Sequence, residues 1–175
     1  AIWPEGGLAT HRAASEALYR IKDRAFALIA RRLREHVPTT EYDIQSAMMT
    51  WFGEEGLVTD AAPIVASQEN AGDPHYQPTA TATRPIGPNE VVLLDLWGGM
   101  REGAVFADQT WMGFSGSAVP ERVQTVWTTV RDARDAAIAR MQGLAASGAP
   151  VQGYLGDQAA RQVIEAAGFG EYFVH

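Results

Sequence analysis

Two aspartates, Asp95 and Asp108, are the first candidates for chemistry, because each belongs to a segment that the pattern predicts to be a strand. One strand is the apolar run 91–94 that ends at Asp95, and the other spans 104–112. If the Gly-rich loop 99–104 closes these strands into an antiparallel hairpin, Asp95 lies directly opposite Asp108. Their Cβ atoms are then about 4.5–5.5 Å apart on one face of the sheet.

Two ionised carboxylates at that separation repel each other. Either one of them takes up a proton, with a raised pKa, or a cation lies between them. Carboxylates that bridge two divalent ions about 3.5–4 Å apart support metal-assisted hydrolysis, because the ions polarise a carbonyl and lower the pKa of a bound water. Oxygen ligands suit Mn, and also Mg, Co or Zn when an imidazole joins them. Thr110, on the face of Asp108, could hydrogen-bond a ligating carboxylate.

A register slipped by one residue gives a different interpretation, in which both aspartates face solvent at the ends of a surface hairpin. The pattern alone leaves both interpretations open. Alternation along the strand places Val91 and Leu93 on the face of Asp95, and this apolar run favours burial of the pair. We expect Trp97 and Trp111 to pack on the faces opposite the aspartates.

The elements that hold this hairpin follow from apolar periodicity. Spacings of three and four residues predict a helix over 13–36 and a second one that starts at a Thr40–Asp43 capping box and ends at Gly53 and Gly56. Two further helices are expected after the hairpin, closed by Gly148 and Gly168, and a strand at 171–175. The first of these two helices has a predicted buried stripe: Val123, Val126, Trp127, Val130, Ala137, Ile138, Met141 and Leu144. This order of helices and strands predicts an α+β fold.

A polar loop over 68–90, rich in Gly, Pro, Asn and Thr, leads into the strand of Asp95. A loop of that length in a compact domain is usually functional or disordered. It contains His75. On composition alone, a single loop histidine is most often an ordinary polar surface residue.

Composition excludes several classes of function. The chain has 175 residues, which is the size of one domain, and its formal charge of -7 disfavours nucleic acid as a partner. It has no apolar run near the ~20 residues that a membrane-spanning helix needs. The absence of cysteine fits a cytoplasmic protein without disulfide bonds. No phosphate-binding glycine motif is present, so nucleotide binding has no support.

Five segments together resemble the pita-bread metallopeptidases, in the branch of Xaa-Pro aminopeptidases, prolidases and creatinase. They are ENAGDPHYQPT (69–79), VVLLDLWG (91–98), VFADQTWMGFSG (105–116), VWTTVRDARDAAI (126–138) and GFGEYFVH (168–175). The resemblance runs in order from about Ala14 to the last residue, so it covers nearly the whole chain.

The resemblance implies roles for four residues. Asp95 is expected to bind one metal ion in bidentate fashion, and Asp108 to bridge both ions of a dinuclear centre, with Mn as the first expectation and Co or Zn as alternatives. His75 and His175 are the expected catalytic histidines on the substrate side. His75 is expected to contact the peptide or the tetrahedral intermediate.

The implied function is that of a metal-dependent exopeptidase that cleaves Xaa-Pro bonds, of the aminopeptidase P or prolidase type, acting on a small proline-containing peptide. The resemblance places one further histidine ligand and two glutamate ligands beyond residue 175. We therefore expect 1–175 to be a single, incomplete pita-bread catalytic domain, the first half plus the start of the second, and inactive by itself. Uncovered strand edges and apolar helix faces favour a homodimer. The alternatives are a non-catalytic peptide-binding or protein-binding module of the same fold and a creatinase-like amidinohydrolase.

Overall fold

The computed structural model describes residues 3–173, and the chain forms two compact units, Ala1–Ser117 and Ala118–His175. The first unit contains α1 (Gly7–Arg34), α2 (Glu41–Glu54), β1 (Ile64–Ser67), a 3₁₀ helix (Gln68–Gly72), β2 (Val91–Gly98) and β3 (Ala107–Phe114). The second contains α3 (Glu121–Ala146), α4 (Gly153–Ala166) and a 3₁₀ helix (Gly170–Tyr172). The prediction of one catalytic domain over 1–175 stays a prediction.

The start of α2 is set by the predicted capping box. The Thr40 hydroxyl accepts a hydrogen bond from the Asp43 backbone N–H at 3.1 Å, and the Asp43 carboxylate accepts one from the Thr40 N–H at 2.8 Å. These bonds satisfy two backbone donors that a helix start otherwise leaves unpaired. At the other end, Gly53 lies inside the helix, contrary to the prediction, and Gly56 with φ of +69° follows the helix end.

The three strands form an antiparallel sheet in the order β1-β2-β3, and α1 and α2 cover one of its faces. Alternation along β2 buries Val92, Leu94 and Leu96 on that face. They join a single apolar core with side chains from both helices, among them Leu18, Ile21, Ala25, Ile44, Met48 and Phe52. The apolar faces that the helical spacing and the strand alternation produce therefore pack together in one buried layer.

The predicted buried stripe of α3 is wrong for four of its eight residues, and the other four are half-buried. Ala133 is buried, whereas Val126, Trp127, Val130 and Ile138 are 39–56% exposed. Within their unit, α3 and α4 pack on each other, and a pair of helices covers one side of each helix only. The periodicity identified the helix correctly but not the environment of its apolar side.

The last predicted strand, at 171–175, is also wrong over its described part, where Gly170–Tyr172 forms a 3₁₀ helix. The two glycines predicted to close α3 and α4 do follow those helices. Gly148 and Gly168 have φ values of +73° and +82°, which residues with a Cβ adopt only with strain. Within residues 3–173, none of the helices combines the length and the apolar character needed to cross a bilayer.

A close approach of α1 to β3 gives a stability prediction. A Cβ added at Gly113 would lie 2.5 Å from Cε1 of Phe26, whereas one added at Gly53 meets no atom within 4 Å. We expect Gly113→Ala to lower the free energy of unfolding by about 1–3 kcal/mol, because Phe26 has to move. Gly53→Ala, in the exposed end of α2, should raise it by about 0.5–1 kcal/mol. Urea unfolding followed by tryptophan fluorescence measures both. Equal effects of the two substitutions would contradict this packing.

Candidate metal centre

The strands β2 and β3 bring the two aspartates to one face of the sheet, but not into direct opposition. Asp95 pairs with Thr110, and Asp108 pairs with Trp97. The predicted register is therefore wrong by two residues. A shift of two preserves the face of every side chain, so Asp95 and Asp108 are diagonal neighbours, which typically lie about 7–8 Å apart.

Two contacts outside the hairpin account for this register. Gly99 exchanges two backbone hydrogen bonds with Val58, each 2.9 Å long. The carbonyl oxygen of Phe106 lies 2.9 Å from Nδ1 of His11. Because other segments hold these residues, the closing loop runs over 99–106, and the first ladder pair is Gly98 with Ala107. The prediction of a closing loop over 99–104 could not include these contacts.

Thr110 orients one of the two carboxylates. Its hydroxyl donates a hydrogen bond of 2.8 Å to Oδ1 of Asp95, the residue directly opposite it. The predicted hydrogen bond from Thr110 to one of the two carboxylates is present, and Asp95 is the partner; metal ligation by Asp95 stays a prediction. A hydroxyl in this position restricts the rotation of the carboxylate and leaves Oδ2 for other contacts.

Trp97 lies on the face of the aspartates, and its predicted placement on the other face is wrong. It is two residues from Asp95 on the same strand, so alternation puts both on one side. Its indole Nε1 donates a hydrogen bond of 2.6 Å to Oδ1 of Asp60. Trp111 pairs with Leu94 and lies on the opposite face, as predicted.

The aspartate face is the more open face of the sheet in this chain. The helices cover the side of Leu94, so Asp95 is half-buried and Asp108 is exposed. The expected shelter among buried apolar neighbours is therefore wrong for the described residues, and Met112 on this face is 40% exposed. Local burial, and after it the negative charge of Asp95, still raise the pKa of Asp108 above its usual value.

The two carboxylates fit part of a divalent metal site. Both supply hard oxygen ligands on one face, and the charge of Asp95, which after burial contributes to the raised pKa of Asp108, is one that a cation between them would offset. Within residues 3–173, however, His, Asp and Glu nowhere form a group of three or more that could hold a metal ion. Asp95 and Asp108 are thus an incomplete donor set.

The two predicted histidines are placed differently. His75 lies in the loop after the first 3₁₀ helix, where its backbone N–H donates a hydrogen bond of 2.9 Å to Oδ1 of Asp73. The Tyr76 N–H donates to the carbonyl oxygen of Asp73, so residues 73–76 form a turn. His175 lies outside the described residues. The catalytic roles of both histidines stay predictions.

The sequence profile of metallopeptidase family M24 matches residues 11–175. The chain belongs to this family. An uncharacterised peptidase from Schizosaccharomyces pombe is 34% identical over 138 residues, which is 78% of this chain and 28% of that protein. An Xaa-Pro dipeptidase from Lactobacillus delbrueckii subsp. lactis is 34% identical over 120 residues, 68% of this chain and 29% of that protein. This M24 chain therefore spans under a third of the length of these curated relatives.

Solved structures agree with the family. The crystal structure of dipeptidase PepE from Mycobacterium ulcerans superposes with a TM-score of 0.73 at 25% identity, covering 99% of this chain and 42% of that one. The predicted α+β pita-bread fold, the first half plus the start of the second, is confirmed. The M24 family implies the use of divalent metal ions, which agrees with the chemistry expected of Asp95 and Asp108.

A second acidic site in this M24 chain has no counterpart in the sequence-based predictions. Glu41, the first residue of α2, has 0% of its surface exposed. Its Oε1 accepts hydrogen bonds from the Ser67 N–H at 2.7 Å, the Ser67 hydroxyl at 3.0 Å and the Asn70 amide at 3.1 Å. Its Oε2 accepts from the Tyr76 hydroxyl and, at 2.9 Å, from the Arg84 N–H. We call Glu41 with these four residues the Glu41 cluster.

Arg84 extends the Glu41 cluster to the end of the long loop. Its guanidinium donates two hydrogen bonds of 2.7 Å to Glu90, one to each carboxylate oxygen, and one of 3.1 Å to the Ser67 hydroxyl. The N–H of Gly87 also donates to Glu90, at 2.8 Å. The Arg84 hydrogen bonds hold the pKa of Glu90 below its usual value. The loop 68–90 of this M24 chain is therefore tied to α2 and β1 at several points.

Sequence reasoning had little signal for the Glu41 cluster. A glutamate in the first turn of a helix is usually an exposed partner of the helix dipole. The partners of Glu41 lie 26 to 43 residues away along the chain. The many polar side chains of the loop 68–90 were the one indication in the sequence that these side chains bind a buried polar group.

The repulsion between the two aspartates predicts that this pair of charges lowers the stability of this M24 chain. Asp108→Asn removes one charge, and we expect the free energy of unfolding at neutral pH to rise by about 0.5 kcal/mol, a small value because Asp108 is exposed to solvent. Asp135→Asn, in an exposed surface pair with Arg134, should have no measurable effect. Urea unfolding measures both variants. A clear loss of stability in Asp108→Asn would contradict this interpretation.

The Arg84–Glu90 pair predicts a pH dependence of stability. Because the pKa of Glu90 is lower in the folded state, the pair stabilises the fold at neutral pH, and this contribution is lost as the pH falls below about 4.5. Glu90→Gln should lower the free energy of unfolding by about 1–3 kcal/mol at pH 7 and by clearly less at about pH 3. Glu54→Gln is the control, since Glu54 forms an exposed pair with Arg24 and should lose less than about 0.5 kcal/mol. If Glu90→Gln changes the free energy of unfolding by the same amount at pH 7 and at about pH 3, the proposed contribution of the charged Arg84–Glu90 pair is contradicted.

Proposed function

We propose that this chain is part of a metal-dependent exopeptidase that cleaves Xaa-Pro bonds, of the aminopeptidase P or prolidase type. The observation that carries the proposal is the placement of Asp95 and Asp108 on one face of the sheet, with Thr110 holding the Asp95 carboxylate. The relatedness to an Xaa-Pro dipeptidase supports the choice of substrate. Small peptides that contain proline are the proposed substrates.

Each residue of the candidate site has a proposed part in this reaction. Asp95 and Asp108 hold divalent ions, which when bound polarise the scissile carbonyl and lower the pKa of a water. Thr110 fixes the orientation of Asp95. His75 donates a hydrogen bond to the peptide or to the developing oxyanion. For His175, which lies outside the described residues, we propose a second contact on the substrate side.

The proposal extends to the metal, the whole domain, the association state and the location. We propose Mn as the metal, because the two donors found are carboxylates. Since these donors are fewer than a dinuclear centre needs, we propose that further ligands come from outside residues 3–173 and that both compact units belong to one larger catalytic domain.

A homodimer is favoured by the exposed apolar residues of α3, such as Trp127 and Val130. The absence of cysteine favours the cytoplasm.

The test is hydrolysis of a Gly-Pro dipeptide and of an Xaa-Pro tripeptide, with and without Mn²⁺, by the whole protein and by this 175-residue chain. We expect turnover from the whole protein only. Asp108→Asn in the whole protein should reduce kcat/KM at least roughly a hundredfold, because a metal ligand is lost. Asp135→Asn, on the exposed surface, should leave the rate unchanged.

Three results would contradict parts of the proposal. Robust hydrolysis by the 175-residue chain would show that its ligands are sufficient. Metal-independent hydrolysis of creatine by the whole protein would favour the creatinase-like alternative. Peptide binding without turnover at any metal concentration would favour a non-catalytic binding module.

A further inference from the structure

The long loop that carries His75 is held by a buried charge rather than by regular secondary structure. After the 3₁₀ helix, residues 73–90 contain no helix or strand, yet Tyr76 and Arg84 both reach the carboxylate of Glu41. A fully buried carboxylate that accepts several hydrogen bonds defines the positions of its donors more sharply than a surface contact does. The loop is therefore tied to the core at defined residues.

Tyr76 is the neighbour of His75, and its hydroxyl is the contact of the Glu41 cluster nearest to it in sequence. On the other side of His75, Asp73 accepts hydrogen bonds from the N–H groups of both His75 and Tyr76. The backbone of His75 thus lies between a turn made by Asp73 and a side chain fixed by Glu41. Few backbone conformations satisfy both constraints.

We propose that Glu41, acting through the Tyr76 hydroxyl, is a positioning residue that sets the location of the His75 imidazole. The significance for catalysis rests on the proposed function, in which His75 contacts the peptide. Glu41 itself is buried beneath the loop, so it acts on the substrate only through Tyr76 and His75.

The chemistry of Tyr76 suits this role. Burial, and then the hydrogen bond to Glu41 and the charge of that carboxylate, raise the pKa of Tyr76 to about 12. The hydroxyl consequently remains a donor throughout the neutral and moderately alkaline range.

The cluster also offers a clean way to remove this one contact. Without the Tyr76 hydroxyl, Glu41 keeps the Ser67 N–H, the Ser67 hydroxyl, the Asn70 amide and the Arg84 N–H as donors. A carboxylate has about four lone-pair sites, so these donors still satisfy it. We therefore expect Tyr76→Phe to remain folded, with freedom gained locally at residues 73–76.

The first experiment observes His75 directly, without any need for activity. The chain has four histidines, so His75→Gln identifies the imidazole signals of His75 in an NMR spectrum of the 175-residue chain. We expect Tyr76→Phe to shift or broaden these signals, because the hydrogen bond to Glu41 is lost. The phenyl ring remains, so the change does not come from removal of the aromatic ring current. The signals of His11 and His36 should not change. Tyr172→Phe, at a side chain 68% exposed, is the matched control and should leave all of them unchanged.

A second variant uses the other partner. Glu41→Gln keeps the shape of the side chain but replaces one acceptor oxygen by a donor, so it should disturb the same His75 signals. Unchanged His75 signals in a folded Tyr76→Phe chain would overturn the proposal. General unfolding of Tyr76→Phe would overturn it as well, since the bond would then support the whole fold rather than position His75.

The second experiment tests the catalytic consequence in the whole protein with Mn²⁺ and an Xaa-Pro substrate. We expect Tyr76→Phe to lower kcat/KM roughly tenfold, with unchanged Mn²⁺ affinity, and Tyr172→Phe to have no effect. In a His75→Gln background, Tyr76→Phe should cause little further loss, because both substitutions act through the same imidazole. Fully additive losses would contradict the proposal. If His75→Gln itself leaves hydrolysis unchanged, the proposed role of His75 fails, and the NMR result still decides whether Glu41 and Tyr76 position it.

Discussion

The pairing of β2 with β3 is the constraint on which the candidate site depends. Its register decides which side chains share a face, and the helices α1 and α2 take the face of Val92, Leu94 and Leu96. Both aspartates are thereby left on the other side, the first bonded to Thr110 and the second opposite Trp97. One backbone ladder thus separates the apolar core from the face that presents carboxylates.

The Glu41 cluster orders the polar loop, which has no helix or strand of its own after the 3₁₀ helix. The carboxylate takes donors from β1, from the 3₁₀ helix and from the loop, and Arg84 links it to Glu90. Among residues 3–173, no buried side-chain nitrogen or oxygen lacks a hydrogen-bond partner. A buried charge is costly unless it is satisfied in this way, and once satisfied it defines the loop sharply.

The predictions from sequence succeeded where they rested on local spacing. The Thr40–Asp43 capping box, the helices and the glycines after α3 and α4 involve residues a few positions apart. The predictions failed where distant partners decide. The hairpin loop is longer than predicted because Val58 and His11 hold its ends. Part of the apolar side of α3 remains exposed, because α4 packs on α3 without covering Val126, Trp127, Val130 and Ile138.

By itself, the sequence determined the α+β class and most of the element positions. Its prediction of two aspartates on one face holds although the register was wrong by two residues, because side-chain alternation survives a shift of two. Its motifs also indicated the family. Only the tertiary structure decided that Asp95 faces Thr110 and that Glu41 is fully buried. The physical reason is that register and burial depend on contacts between segments far apart in the chain, whereas periodicity reports only on neighbours.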